Sequence, residues 1–564
     1  MGFLKPTLPP YTAGTWRAAD FGERAKMATH SWALQGYGTP LGAYIFYAAK
    51  ALFYLGGWLY WCSHGENLGG WRTLSEWWNQ PFALEKAIVW SILFEGLGLG
   101  CGSGPLTGRY VPPFGGAFYF LHPGTLKAPR FPGAPLIGRP RRGILDCVVY
   151  IALIGSCVAA LFATTAGSPW LWWVAALVCG IGLLDRTAFL ATRPEHYLMM
   201  TLGFAWGEDG LAVALWIQLA LWFWAGVSKL NAHFPSVVGV MVSNSPVLSF
   251  GWLRRRMYRD YPNDLRPSRL ASVMGHVGTA LELGIPVVFM ASYFEPALSM
   301  LGLVMVIMLH SYIVSNVPMG VPNEWNIVVA YGAFVIWMPA ADAVLWHIQS
   351  PVLMTLIGLT AGVLPLFGNL RPERVSFLLS MRYYAGNWPY SIWLVRKDAR
   401  HKMRHAQGIS KWLSEQLGAF YDTEVVEGVL SRMVAFRLMH LQGRILPSII
   451  ARLLPNLQEY EYMEGEVIAG MTLGWNFGDG HLHHEQLVRE VQNASDFAPN
   501  ELYVVCVEPQ ALGGETLSYR VSDAAQGELF RGKVRIDDLR AVQPWETMDD
   551  ERMGIDSIMK QPQI

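Results

Sequence analysis

The chain has 564 residues, of which 52% are hydrophobic and only 15% charged. Soluble domains carry about 25% charged residues, so the composition excludes an ordinary soluble protein and points to a polytopic membrane protein. Lys and Arg balance Asp and Glu at a formal charge of zero, which argues against nucleic acid as a partner.

Residues 1–40 form a mixed lead-in without an apolar run, and the start lacks both a signal-peptide core and a myristoylation pattern. The first span is therefore expected to insert uncleaved. Its apolar run, Leu41 to Trp61, carries Lys50 near its middle. The polar stretch Ser63 to Glu85 holds Trp71, Trp77 and Trp78, as a membrane surface requires. The next apolar run, from Ala87 to about Gly104, carries Glu95 and then glycine at every second position from Gly96. Such a run is a poor helix and survives in a bilayer only where protein or a water-filled cavity covers it. Residues 105–142 are rich in Pro, Gly and aromatics and predict an ordered loop packed on the helices, partly re-entrant.

Further spans are expected over Ile144 to Ala166 and Pro169 to Leu184, the latter ending on an interfacial Asp185-Arg186 pair. His196 precedes the apolar run Leu211 to Val227, which ends on Lys229 among small residues. Asn231 to Arg269 is basic, with Arg254-Arg255-Arg256, and suits a headgroup-facing loop. Ser272 to Phe294 contains His276 and Glu282, and Ala297 to Val317 contains His310. A turn, Pro318 to Pro322, precedes a span from Trp325, and Pro351 to Leu366 is the last. The expected fold is an all-α polytopic membrane bundle of about nine transmembrane helices over residues 41–370. Three of these spans separate two basic loops, so the count and the positive-inside rule conflict.

Residues 371–564 are richer in charge and predict a smaller, mixed α/β extramembrane domain. Residues 398–454 show helical periodicity, and Leu502–Val507, Thr516 to Val521 and Leu529 to Ile536 read as strands. Within it, Asp479 to Glu485 includes His481 and His483, which suit either a metal or a solvated turn. The turn is favoured, and no metal is expected. Five of the six cysteines fall in or beside apolar runs, without ligand spacing.

A charge at the bilayer centre costs roughly 2.5–3.5 kcal/mol even on insertion scales. Lys50, Glu95, Lys229, His276, Glu282 and His310 together therefore suggest a polar cavity inside the bundle. Lys229 has two readings: an anchor that snorkels to headgroups, or a desolvated base. Its small flanks permit close helix packing, and Gln218 lies eleven residues earlier on the same face. Glu282, His276 and His310 are each equally compatible with buried hydrogen-bonded structure.

The segment Ala225-Gly226-Val227-Ser228-Lys229-Leu230-Asn231 resembles the lysine-bearing helix of the vitamin K-dependent gamma-glutamyl carboxylase family and the bacterial proteins that share its membrane domain. EHYLMMTL with His196, HVGTALELGIP with His276 and Glu282, and MLHSYIVSNVP with His310 resemble further elements of that family, in the same order. The resemblance covers about residues 195–326 and leaves the tail unmatched. It implies a carboxylase-like bundle in which Lys229 is the base and His196 assists catalysis. His276, Glu282, His310, Gln218 and Glu95 would line a cavity for a membrane lipid or quinone-like molecule, with a reduced quinone as cofactor. It also implies a multipass protein of the bacterial inner membrane. The alternative is a non-catalytic lipid-binding or scaffold subunit with a membrane-protein partner, and the residues do not decide whether the chain is an enzyme.

Overall fold

The computed structural model describes residues 2–316, 323–338, 346–454, 456–475 and 485–558. The Pro318–Pro322 turn and the His481/His483 segment lie outside these residues.

Long apolar runs become helices because a helix bonds every main-chain polar group within the segment, which hydrocarbon demands. Among the described residues, four helices are long and apolar enough to cross a membrane: Ile144–Phe162, Gly210–Ser228, Arg269–Ala291 and Pro351–Leu370. Three shorter apolar helices accompany them: Trp170–Leu184, Phe234–Asn244 and Leu298–Val314. The expectation of about nine spans is thus met only in part. Leu41–Cys62 is a helix of 22 residues, but its Lys50, tyrosines, tryptophans and glycines keep it outside the apolar set. Pro81–Gly96 stops after 16 residues, about 24 Å at 1.5 Å per residue. It stops where the alternating glycines begin, and Gly98 adopts φ +77° there, a backbone conformation open to glycine at no steric cost. Asn323–Trp337 has 15 residues and opens on the polar Asn323 and Glu324.

The lysine helix, Gly210–Ser228, is central: 72% of its apolar window is buried, against 22% for Pro351–Leu370 at the periphery. It packs on the glutamate helix, Arg269–Ala291. Contact is close at Gly226, where an added Cβ would fall 2.6 Å from the Leu283 side chain. Small residues at a helix crossing are what allow such approach. The glutamate helix begins on Ser268, whose hydroxyl accepts from the Ala271 N–H as an N-cap.

The stretch 231–269 contains the helices Phe234–Asn244 and Gly251–Arg256 and a short hairpin of β1 (Tyr258–Asp260) with β2 (Asp264–Pro267). The tail forms a six-stranded antiparallel sheet of β3 (Tyr390–Arg396), β4 (Tyr460–Glu464), β5 (Leu502–Val507), β6 (Thr516–Asp523), β7 (Gly527–Arg535) and β8 (Ile555–Ile558). The strand order is β4-β3-β5-β6-β7-β8.

Strand β3 shows how the tail joins the bundle. Side chains alternate across a strand, and β3 is buried on both faces. Trp393 and Val395 enter the core of the membrane helices, whereas Tyr390, Ile392 and Leu394 enter a second core shared with the N-terminal helix Phe21–Gln35. The sheet is therefore wedged between the bundle and the N-terminal region. The aromatic loop also docks here: Tyr119 Oη donates to the Met471 carbonyl at 2.8 Å, and Arg109 Nη2 to the Gly470 carbonyl at 2.9 Å. Asp185 pairs with Arg142 of that loop at 2.7 Å, not with its neighbour Arg186. Both partners are buried, so an interfacial Asp185-Arg186 pair is replaced by an interior one.

Candidate functional site

A cavity of about 550 Å³ lies between the bundle and the tail, and most of its wall is apolar. Lys229, Glu282 and His310 line it. Lys229 follows the last residue of its helix, and its Nζ donates to Glu282 Oε2 of the neighbouring helix. Their side chains are 10% and 6% exposed, so the pair is largely withdrawn from water but borders the cavity.

His310 is held on both ring nitrogens. The Trp222 indole N–H donates to Nε2 at 3.1 Å, and Nδ1 lies 2.8 Å from Asn326 Oδ1. An indole nitrogen is only a donor, so Nε2 is unprotonated and the neutral ring carries its proton on Nδ1, directed at Asn326. His196 repeats the device: the Trp325 indole donates to its Nε2 at 2.8 Å, and its Nδ1 faces Glu195 Oε1 at 3.4 Å. Both histidines are thereby fixed as the same tautomer by a tryptophan.

The remaining expected site residues fall elsewhere. His196 is fully buried and is not part of the cavity wall, because its ring is enclosed by Trp325, Tyr197 and Glu195. His276 lies off the cavity wall, exposed on the outer face of its helix, with Nδ1 2.6 Å from the Ser272 carbonyl. Six residues separate it from Glu282, which turns the two to different faces of a 3.6-residue helix. Gln218 is buried against Asn323–Trp337, where a Cβ on Gly332 would meet its Nε2 at 2.0 Å. It too lies off the cavity wall.

Glu95 belongs to a second polar cluster, also away from the cavity wall. Its Oε2 accepts from the Cys101 N–H at 3.0 Å. Lys50 Nζ donates to the Gly100 carbonyl at 3.1 Å and lies 3.3 Å from Glu324 Oε2. Nearby, Arg193 Nε donates to Glu195 Oε1 at 2.9 Å, and the Tyr383 hydroxyl donates to the same oxygen at 3.1 Å. The Arg193 guanidinium also lies over the Trp325 and Tyr383 rings at 5.4 and 5.7 Å, within cation–π range. Lys50 therefore pairs with Glu324.

The start of the asparagine helix, Asn323-Glu324-Trp325-Asn326, is thus a hub. Glu324 reaches Lys50, Trp325 reaches His196, and Asn326 reaches His310. These residues are absent from the expected set, although a carboxylate and two amides opening an apolar run carry the same signal that marks Glu282. A second absent group is Arg382-Tyr383-Tyr384, in the stretch between the last apolar helix and β3, which forms part of the cavity wall. On the tail side, Glu464 and Glu466 also line the cavity and share Arg437 at 3.1 and 3.0 Å. Burial holds the Glu464 carboxyl up at about 7 despite Arg437. Among the described residues, no group of three or more His, Cys, Asp or Glu side chains is arranged to hold a metal ion.

The fold and this cavity define a mostly helical membrane protein with several candidate spans and a C-terminal antiparallel sheet region. The chain belongs to the family described as transmembrane protein of unknown function (DUF3556), whose model matches residues 1–555. No curated protein and no solved structure matches it significantly, and no link to the gamma-carboxylase family emerges from these comparisons.

Proposed function

We propose that this protein binds a lipid- or quinone-like molecule in the cavity, with the Lys229–Glu282 pair meeting the polar end of the ligand. The observation that carries the reading is a lysine and a glutamate in contact on the wall of a mostly apolar, 550 Å³ cavity. That volume is within the range of small-molecule pockets, about 300–1,000 Å³. In a desolvated amine–carboxyl pair the member that does not hold the proton is the proton acceptor. On the carboxylase-like reading, Lys229 deprotonates a reduced quinone.

Ligand binding without chemistry is the second reading, and one observation favours it. His310, on the cavity wall, spends Nε2 on the Trp222 indole and Nδ1 on Asn326, which leaves it no free nitrogen to pass protons at the pair. Mass spectrometry of ligand extracted from the purified full chain tests both. An apolar molecule retained by wild type and depleted in K229M supports the cavity; its absence from wild type sinks the proposal. Turnover of that molecule, abolished in K229M and E282Q, separates enzyme from carrier.

A further inference from the structure

Arg382 places a guanidinium without a carboxylate partner on the cavity wall. It lines the wall and is 3% exposed. Only Nη2 is engaged, donating to the Asn387 carbonyl at 2.9 Å and more weakly to that of Gln510 at 3.4 Å. Nε and Nη1 are buried and have no hydrogen-bond partner among the described residues, nor does any carboxylate lie within 4.0 Å of this guanidinium. Burial pulls its pKa down to about 10, with no neighbouring acid to offset it.

Other cations around the cavity are accounted for differently. Lys229 has Glu282, Arg193 has Glu195, and Arg437 has both Glu464 and Glu466. Arg109 also lines the wall, and like Arg382 it lacks a carboxylate and keeps Nε and Nη1 buried without a hydrogen-bond partner among the described residues. Its contacts are the Gly470 carbonyl and the Tyr119 ring at 5.7 Å. A buried charge is ordinarily paired, and leaving one unpaired costs several kcal/mol. A guanidinium with two unused nitrogens on a cavity wall is the arrangement that recognises a carboxylate or phosphate.

We infer that Arg382 is the anchor for an anionic headgroup, and that the ligand of this cavity is an anionic amphiphile whose apolar body fills the remaining wall. The inference rests on the cavity being a ligand site, as proposed above. The headgroup pairs with the guanidinium charge while the Asn387 carbonyl keeps the guanidinium plane in place. The neutral Lys229–Glu282 pair adds no net charge, so the charge preference belongs to Arg382 together with Arg109.

Binding to delipidated full-length protein in non-ionic detergent tests this, read by tryptophan fluorescence because Trp222, Trp325 and Trp388 line the cavity. The probes are oleate, oleyl alcohol, dioleoylphosphatidylglycerol, dioleoylglycerol and inorganic phosphate. On wild type, oleate and phosphatidylglycerol bind about tenfold or more tighter than their uncharged counterparts. R382Q lowers that preference severalfold and leaves the uncharged probes unchanged, R382K retains most of it, and R109Q/R382Q removes it. A stronger effect on phosphatidylglycerol than on oleate assigns a phosphate headgroup, and the reverse a carboxylate. Equal affinity of wild type for oleate and oleyl alcohol overturns the anion site while the cavity reading stands, and needs no variant. Inorganic phosphate binding as tightly as phosphatidylglycerol overturns the amphiphile. Failure of every amphiphile to bind overturns the cavity reading and this inference together.

Discussion

Two groups of buried charge sit a short distance apart in this molecule and are built differently. Around Glu195, one carboxylate oxygen accepts from Arg193 and Tyr383 and faces His196. Nearby, Lys50 donates to the Gly100 carbonyl and pairs with Glu324, and Glu95 accepts from the Cys101 N–H. At the cavity, Lys229 and Glu282 have chiefly each other, and one side of the pair is open. Many bonds per charge mark a group that holds helices together; few bonds beside a cavity mark a group kept for something else. The backbone agrees. Arg193 sits at φ +55°, a conformation costly for a non-glycine residue and sustained here by the bonds of its side chain.

The largest expected effect comes from breaking the closed cluster. R193M leaves the Glu195 carboxylate buried and uncompensated, which costs about 3–5 kcal/mol; thermal unfolding in detergent should drop steeply or the chain should fail to fold. A loss as small as that of a surface substitution would erase the contrast.

Next is a pH effect on the tail wall of the cavity. The Glu464 carboxyl titrates at about 7 when folded and at about 4.3 when unfolded. The folded state holds this proton more tightly, so the group's stabilisation is complete below about pH 4.3 and is lost as pH rises through 7. Up to about 4 kcal/mol is at stake across that window, and E464Q should flatten the stability–pH profile between pH 5 and 7. An unchanged profile would place Glu464 on the closed, always-paired side.

K229M should cost less than R193M, about 1–3 kcal/mol, because Glu282 borders the cavity and takes up a proton. The double variant K229M/E282Q should recover most of the loss, and a double-mutant cycle measures the coupling. Coupling as large as that between Arg193 and Glu195 would make the two sites alike. N326A, which takes the acceptor from His310 Nδ1, should cost only about 1 kcal/mol and leave ligand binding within a few-fold.

Much of this architecture is legible along the chain. Hydropathy alone bounds the lysine helix to within a residue, as Leu211 to Val227 against Gly210–Ser228. The two-residue alternation marks β6 and β7, and β5 reads as a strand from its short, β-branched apolar run. These features depend on near neighbours, whose periodicity is written in order. Strands β3 and β4 escape such a reading because β3 is buried on both faces and shows no alternation. The partner of Lys229 and the seclusion of His196 depend on which helices touch, over separations of 53 and 129 residues. Composition determined that the protein belongs in a membrane with charged groups inside it. Only the tertiary structure decided which charges close on each other and which face a cavity, because a buried charge takes its role from the groups that surround it in space.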